Sequence, residues 1–327
     1  MQRSNTKFVL RDAHYLDSNK KLSQKSKDRM KKSKSENTMR AYESDWNDFY
    51  DWCIFHKLNS LPAESETIVN YINDLADHAK ANTVSRRLSA ISENHIAAGF
   101  IEINPTHSGI VRNAIDAIRR EKGIMQKGKM PLLLEDLSEI NKLFTLNDIV
   151  SIRDKALIFL GFSGAFRRSE LVKVLKEDLT FTKDGLIVLI KNSKGDQLGQ
   201  GNYLAIPYNQ TTELCTVIAI KNWLTISEIK KGPLFRPFTK NKKLRNSQLS
   251  DKSVALIVKK YADLAGLDSN DFAGHSLRRG FATSAAQHGV DERSIMQQTR
   301  HKSEKMVRRY IEQGNMFKNN ALNKMFN

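Results

Sequence analysis

Apolar positions recur at helical spacing through residues 37–122. Tyr42, Trp46, Phe49, Tyr50 and Cys53 step by four and three along one face of a helix that should open near Asn37 or Thr38. Ile68, Tyr71, Ile72, Leu75 and Ala76 make a second stripe. Val84, Leu88 and Ile91 make a third after an Asn82-Thr83 start, and Val111, Ala114, Ile115 and Ile118 a fourth after Asn104-Pro105-Thr106. Four amphipathic helices with short connections predict a small bundle that closes on itself. Residues 123–131 hold two Gly and a Pro with no apolar period, and read as a linker.

Beyond the linker the pattern is mixed. Leu137, Ile140 and Leu143 predict a helix, and Ile152 to Phe162 is apolar nearly all round, as a helix at the centre of a domain would be. The period then changes. Leu179–Thr182, a Lys183-Asp184-Gly185 turn and Leu186–Ile190 read as a hairpin, and a third strand, Tyr203–Ile206, stops at Pro207. Helices follow around 213–226, 253–265, 276–287, 291–298 and 304–311, with a last short one carrying Ala321, Leu322, Met325 and Phe326 on one side. The expected fold is mainly α with a small antiparallel β-sheet: an N-terminal helical bundle over 37–122 and an α+β domain over 132–327.

Composition narrows the class. A chain of 327 residues, 40 % apolar, suits about two domains with real cores, which excludes disordered and collagen-like chains. Cys53 and Cys215 are too few for a disulfide framework or a Cys-based zinc site, so a reducing, cytoplasmic setting is expected. The longest apolar run, Ala156 to Phe166, is far short of the roughly 18–20 residues that span a bilayer, and no apolar run follows the basic N-terminus as a signal peptide would require. No membrane partner is expected.

With 53 Lys and Arg against 36 Asp and Glu the net charge is +17, which favours a polyanion, since each phosphate neutralised releases counterions. Residues 1–40 alone hold twelve basic and four acidic residues, a surplus of +8. Residues 1–36, poor in apolar positions, read as a flexible basic arm, for which a solubilising tail is an equal alternative. Lys80, Arg86 and Arg87 lie off the apolar stripe of the third helix. With Lys252 they are the candidate DNA contacts away from any chemistry, against the ordinary reading of a solvated face.

The second domain lacks a phosphate-cradling glycine loop, a dinucleotide fingerprint, a His-Glu-x-x-His and an acidic cluster for two-metal chemistry. It has instead polar punctuation in apolar helices: Arg167-Arg168-Ser-Glu170-Leu171 after the central helix, His275-Ser-Leu-Arg278-Arg279-Gly280 opening another, and Arg300-His301 with Tyr310 nine residues on. Attack on a phosphodiester places charge on its non-bridging oxygens. Two guanidiniums can hold these, imidazoles can hydrogen-bond or move protons, and a tyrosine can serve as nucleophile. Lys194, in the turn between the second and third strands, could protonate the leaving oxygen. No metal and no nucleotide cofactor would be needed. Taken singly each residue has an ordinary explanation: a capped or core histidine, a packed tyrosine, a surface arginine pair.

As a set, the arginine box at 167–171, the His275–Arg279 box with Phe281-Ala-Thr283, and the His301/Tyr310 pair resemble the tyrosine recombinases of the phage integrase family over about residues 37–327. The resemblance implies a SAM-like core-binding bundle and a catalytic domain, in a simpler Cre-like or Xer-like arrangement because the arm before residue 37 is short. It implies that Arg167 and Arg278 clamp the scissile phosphate, and that His275 accepts the proton of Tyr310 while His301 hydrogen-bonds the phosphate. Lys194 would be the general acid, with nearby Lys191 the competing choice, and Tyr310 would form a 3′-phosphotyrosine link without metal or ATP. Glu170 would support the site. The implied partner is a double-stranded DNA recombination site, bound by a homotetramer on two duplexes, with the end helix around Leu322 and Phe326 docking on a neighbouring subunit or, alternatively, on its own domain. Many family members have Gly where this chain has Arg300, which here would add positive charge near DNA. A topoisomerase-like nicking and resealing enzyme and a non-catalytic DNA-binding regulator are the alternative readings. The source is expected to be a bacterium or a mobile element.

Overall fold

The computed structural model describes residues 34–123, 128–191, 201–209, 212–301 and 303–316, with Ser23, Lys25, Arg29 and Met325 as isolated positions. Lys194, Ala321, Leu322 and Phe326 lie outside the described residues. The chain divides into two units, Met1–Lys127 and Gly128–Asn327.

In the first unit the Ser35 hydroxyl accepts the N–H of Thr38 at 3.2 Å, so helix α1 (Glu36–Phe55) opens slightly earlier than its apolar stripe suggests. It is followed by α2 (Ser65–His78), α3 (Ala81–Ala97) and α4 (Gly109–Lys122). The four stripes meet in one core built on Trp46, Phe49, Ile68, Ile72, Val84, Ile91 and Val111. Helix α4 starts later than Asn104-Pro105-Thr106 because that segment makes its own 3-10 turn, with the Asn104 side chain accepting the Thr106 N–H at 3.1 Å. His95 is buried and fully used: Nδ1 donates to the Ile91 carbonyl (2.9 Å) and Nε2 accepts from the Ala63 N–H (3.0 Å). Burial pushes its pKa down.

The second unit contains α5 (Leu134–Asn141), α6 (Ile149–Ser163), the single turn α7 (Arg168–Leu171), strands β1 (Leu179–Phe181), β2 (Gly185–Ile190) and β3 (Asn202–Pro207), then α8 (Thr216–Ser227), α9 (Asp251–Leu264), α10 (His275–Gln287), α11 (Glu292–Thr299) and α12 (Glu304–Gly314). The sheet is antiparallel in the order β1-β2-β3, with Leu179 opposite Val188 and Val188 opposite Leu204. Helix α6 is buried nearly all round, as its unbroken apolar run requires, packing on α8 and α10 in one core with the inner residues of the sheet. A smaller cluster, Ala282, Ala286, Ile295 and Val307, joins α10, α11 and α12 and takes Tyr310 and Ile311 at its edge.

Helix α10 is pinned at its start. The Leu132 N–H donates to the Ser276 carbonyl at 3.0 Å, and the Met130 N–H to the Asp271 carbonyl at 2.7 Å. Gly280 is required here, because a Cβ would overlap the Leu132 carbonyl oxygen. Among the described residues no helix is long and apolar enough to cross a membrane.

Candidate active site

The site is built around a sharp turn. After α6, Ala165 takes a left-handed conformation (φ 45°), unusual for a residue with a Cβ, and Phe166 is swallowed by the core. Within the turn the Ala165 N–H donates to the Phe162 carbonyl at 2.8 Å. The carbonyls of Gly164 and Ala165 remain as acceptors for side chains, and Arg167 caps the start of α7. Glu170, one turn on and 5 % exposed, accepts both the Arg167 N–H (3.2 Å) and its Nη1 (2.6 Å).

Two further arginines converge on this turn. Arg278, from the first turn of α10 and 3 % exposed, donates Nη1 to the Ala165 carbonyl at 2.7 Å. Arg300, left-handed itself at the end of α11 (φ 55°), donates Nη1 to the Gly164 carbonyl (2.9 Å) and Nη2 to the Ala165 carbonyl and Glu170 Oε2 (both 3.3 Å). Its guanidinium lies over the Phe166 ring, 5.1 Å from the centroid. Three guanidiniums thus share one carboxylate and two carbonyls. Arg278 Nη2 and Arg300 Nε have no hydrogen-bond partner among the described residues.

His301 follows directly. Its Nδ1 lies 2.7 Å from Thr299 Oγ1, and its ring is 5.8 Å from that of Tyr310 at 39°. Tyr310, on α12, is half-buried, with the Arg279 guanidinium 5.9 Å from its ring centroid. His275, the first residue of α10, is exposed at the surface beside the arginines.

The electrostatics follow from this crowding. Burial, then repulsion from Arg167 and Arg300, brings the Arg278 pKa down to about 9. Burial, then Arg278, Arg167 and Arg300, brings His301 from 6.5 down to about 4. The surrounding protein, then Arg168, Arg278 and Arg167, also lowers His275. Burial would raise Glu170, but its bonds to Arg167 and the nearby Arg300 outweigh that and hold it below the usual carboxylate range. The pocket therefore carries buried, undercompensated positive charge with both histidines neutral near pH 7, an environment suited to an anion.

Of the residues singled out in the sequence, Arg167, Glu170, His275, Arg278, His301 and Tyr310 gather in this one region. Lys191, just past β2, ion-pairs with the buried Asp178 (2.5 Å), which raises its pKa. Lys80 is exposed at the start of α3 and Lys252 in the first turn of α9. Arg86 pairs with Asp45 and Arg87 with Asp48, and Arg87 Nη1 also donates to the Tyr71 hydroxyl at 2.9 Å. Arg300, expected to add positive charge, does so within this region: its guanidinium turns inward onto carbonyls and Glu170 and is nearly buried. Thr299 and the Ala165 carbonyl were not read from the sequence. A hydroxyl two residues before a candidate histidine is a signal for the first, whereas a backbone acceptor has none. Among the described residues no group of His, Cys, Asp and Glu could hold a metal ion.

Comparison with known proteins gives a consistent picture. The family model described as "Phage integrase family" matches residues 134–315, and that of the "Phage integrase, N-terminal SAM-like domain" matches residues 28–95. An integrase/recombinase xerD homolog of Selenomonas ruminantium is 62 % identical over 321 residues, covering 98 % of this chain and 94 % of that protein. The tyrosine recombinase XerC of Thermodesulfovibrio yellowstonii is 27 % identical over 284 residues, covering 84 % and 85 %. In fold, the chain is similar to the XerH site-specific recombinase in its post-cleavage complex with a palindromic difH substrate (TM-score 0.64, 17 % identity, 97 % of this chain and 89 % of that one). It is also similar to a lambda integrase dimer bound to a COC′ core site (TM-score 0.61, 15 % identity, 93 % and 76 %).

Proposed function

The chain belongs to the phage integrase family, and from that premise we propose that it is a site-specific DNA recombinase that cuts and rejoins double-stranded DNA through a 3′-phosphotyrosine intermediate. One observation carries the reading: Arg167 and Arg278, 111 positions apart in the sequence, are held on a single turn beside His301 and Tyr310. The net charge of +17 supports a DNA partner.

In this reading Arg167 and Arg278 hold the non-bridging oxygens of the scissile phosphate, with the unpaired Nη2 of Arg278 one donor for them. The Tyr310 oxygen bonds to phosphorus as the bond to the 5′-oxygen breaks. His275, neutral among its arginines, takes the phenolic proton. Lys194 supplies a proton to the 5′-oxygen. The Asp178 pair raises the Lys191 pKa and makes that lysine the poorer donor. His301, its Nδ1 occupied by Thr299, hydrogen-bonds the phosphate through Nε2 once the bound anion draws a proton onto that nitrogen. A phosphate ester is exchanged for a phosphate ester, so resealing needs no ATP. No metal ion or other cofactor enters this scheme. Glu170 keeps Arg167 in place. Four copies on two duplexes, working in the cytoplasm, would complete strand exchange, with the apolar side of 321–326 as the contact between neighbours.

The test begins with duplexes enriched by the protein from random-sequence DNA, remade with a nick beside the cleavage position. Wild type should form a denaturant-resistant adduct mapping to Tyr310, while Tyr310→Phe binds the same duplex and forms none. An adduct with the Phe variant would remove Tyr310 as nucleophile. Binding without any wild-type adduct would favour a regulator, and adducts that relax supercoils but never exchange strands would favour a topoisomerase.

A further inference from the structure

We propose, resting on the recombinase reading, that Arg300 is a positioning residue that locks the segment carrying His301 to the turn supporting Arg167 and Arg278. From one planar group it meets four acceptors: the carbonyls of Gly164, Ala165 and Gln298, and Glu170 Oε2. Two of these are already in use by the clamp. Ala165 accepts from Arg278, and Glu170 from Arg167. Arg300 therefore completes a continuous chain of hydrogen bonds, Arg167–Glu170–Arg300–Ala165–Arg278, and the next residue along the sequence is His301.

The choice of residue is informative. A left-handed position at a helix end is met at least cost by glycine, and arginine accepts strain there. A residue needed only to cover Phe166 would be apolar. Placing a third guanidinium here adds repulsion, which together with burial, the larger cause, lowers the pKa values of Arg278 and Arg300. Space-filling and turn-making are both better served by other residues. What arginine alone adds is a rigid, several-armed tie between backbone carbonyls and a carboxylate. Without it, α7 and the end of α11 lose their direct polar link. Gln298 Nε2 still donates to the Ser163 carbonyl at 2.7 Å, but the residues after it, His301 included, can shift relative to the two arginines while each arginine keeps its own acceptor.

The experiment compares wild type, Arg300→Gly and Arg300→Lys on the nicked duplex, measuring melting, duplex affinity and the rate of adduct formation. Misplacement of an oriented group by about an ångström can cost about 100-fold, so the Gly variant should fold, bind within about threefold of wild type and form adduct about 10- to 100-fold more slowly. The Lys variant, with one donor centre, should fall between. The His301 titration midpoint, followed by NMR, should rise in the Gly variant as a neighbouring cation is lost. A Gly variant that cleaves at the wild-type rate overturns the proposal. If that variant does not fold, a folded Lys variant cleaving at the wild-type rate overturns it equally. Absence of adduct from wild type would instead defeat the recombinase reading itself.

Discussion

His301 Nδ1 lies 2.7 Å from Thr299 Oγ1, and that hydroxyl lies 2.7 Å from the Ile295 carbonyl one turn back. A carbonyl can only accept, so the threonine proton points to Ile295 and the oxygen must accept from His301. The neutral ring is thereby fixed with its proton on Nδ1 and a lone pair on Nε2. Thr299→Val keeps the shape of this fully buried side chain and removes the acceptor. We expect loss of the fixed tautomer, visible in nitrogen chemical shifts of His301, and adduct formation slowed about tenfold, since a misoriented hydrogen-bonding group typically costs a few kcal/mol at most. Unchanged shifts would mean that the threonine does not set the tautomer.

The depressed pKa of His301, about 4 against an ordinary 6.5, ties stability to pH with a definite sign. Well above pH 6.5 the ring is neutral whether the chain is folded or not, and its contribution is complete. As pH falls toward 4 the unfolded chain takes up a proton that the folded site refuses, and stability is lost, up to about 3 kcal/mol for this residue. His275 and the buried His95, also lowered, act in the same direction. Melting between pH 7.5 and 5 should fall for wild type and fall less for His301→Asn. Parallel curves would show that His301 is not the titrating group.

How much of this was visible in the sequence depends on what each feature is made of. Helix α6 and the α1 stripe through Trp46 and Phe49 were readable because burial imposes periodicity. The boxes at 167–171 and 275–279 were readable because chemistry fixes residue type and spacing. Arg300 was legible only as added positive charge: its inward turn is set by the carbonyls of Gly164 and Ala165, some 135 positions away, which no local pattern announces. Arg86 and Arg87 looked free for the same reason, with their partners Asp45 and Asp48 about forty positions earlier. The helix starts shifted where caps decided them, as Ser35 did for α1.

Among the described residues Glu170 is the one carboxylate paired with Arg167 and Arg300, and it is nearly inaccessible to water. Glu170→Gln preserves the shape but leaves crowded guanidiniums uncompensated. Breaking a buried charge pair on one side typically costs about 3–5 kcal/mol, so a loss of stability of that order, read as a lower melting temperature, is expected. Because the defect is missing negative charge where a phosphate is expected to sit, sulfate should stabilise the variant more than wild type, relative to chloride at matched ionic strength. A variant melting as wild type does would show that Glu170 compensates little.

The basic residues of the first unit divide into two kinds, and salt should separate them. Arg87 is about one-fifth exposed and committed to Asp48 and Tyr71, close to the buried Asp45. Lys80 stands exposed where α3 begins. Arg87→Ala strands carboxylates and should lower the melting of this unit by about 1–3 kcal/mol, the cost of leaving a partly buried polar group without its partner. Trp46 and Trp52 report on that transition. Lys80→Ala should leave melting unchanged but, if this lysine meets a phosphate, weaken DNA binding uniformly across sequences and reduce the salt slope by about one unit. Lys252→Ala should do the same from the second unit. The decisive comparison is Arg87. If its removal flattens the salt slope while melting stays put, the arginine leaves its aspartates to bind DNA, and the ion pairs seen here belong to the free protein alone.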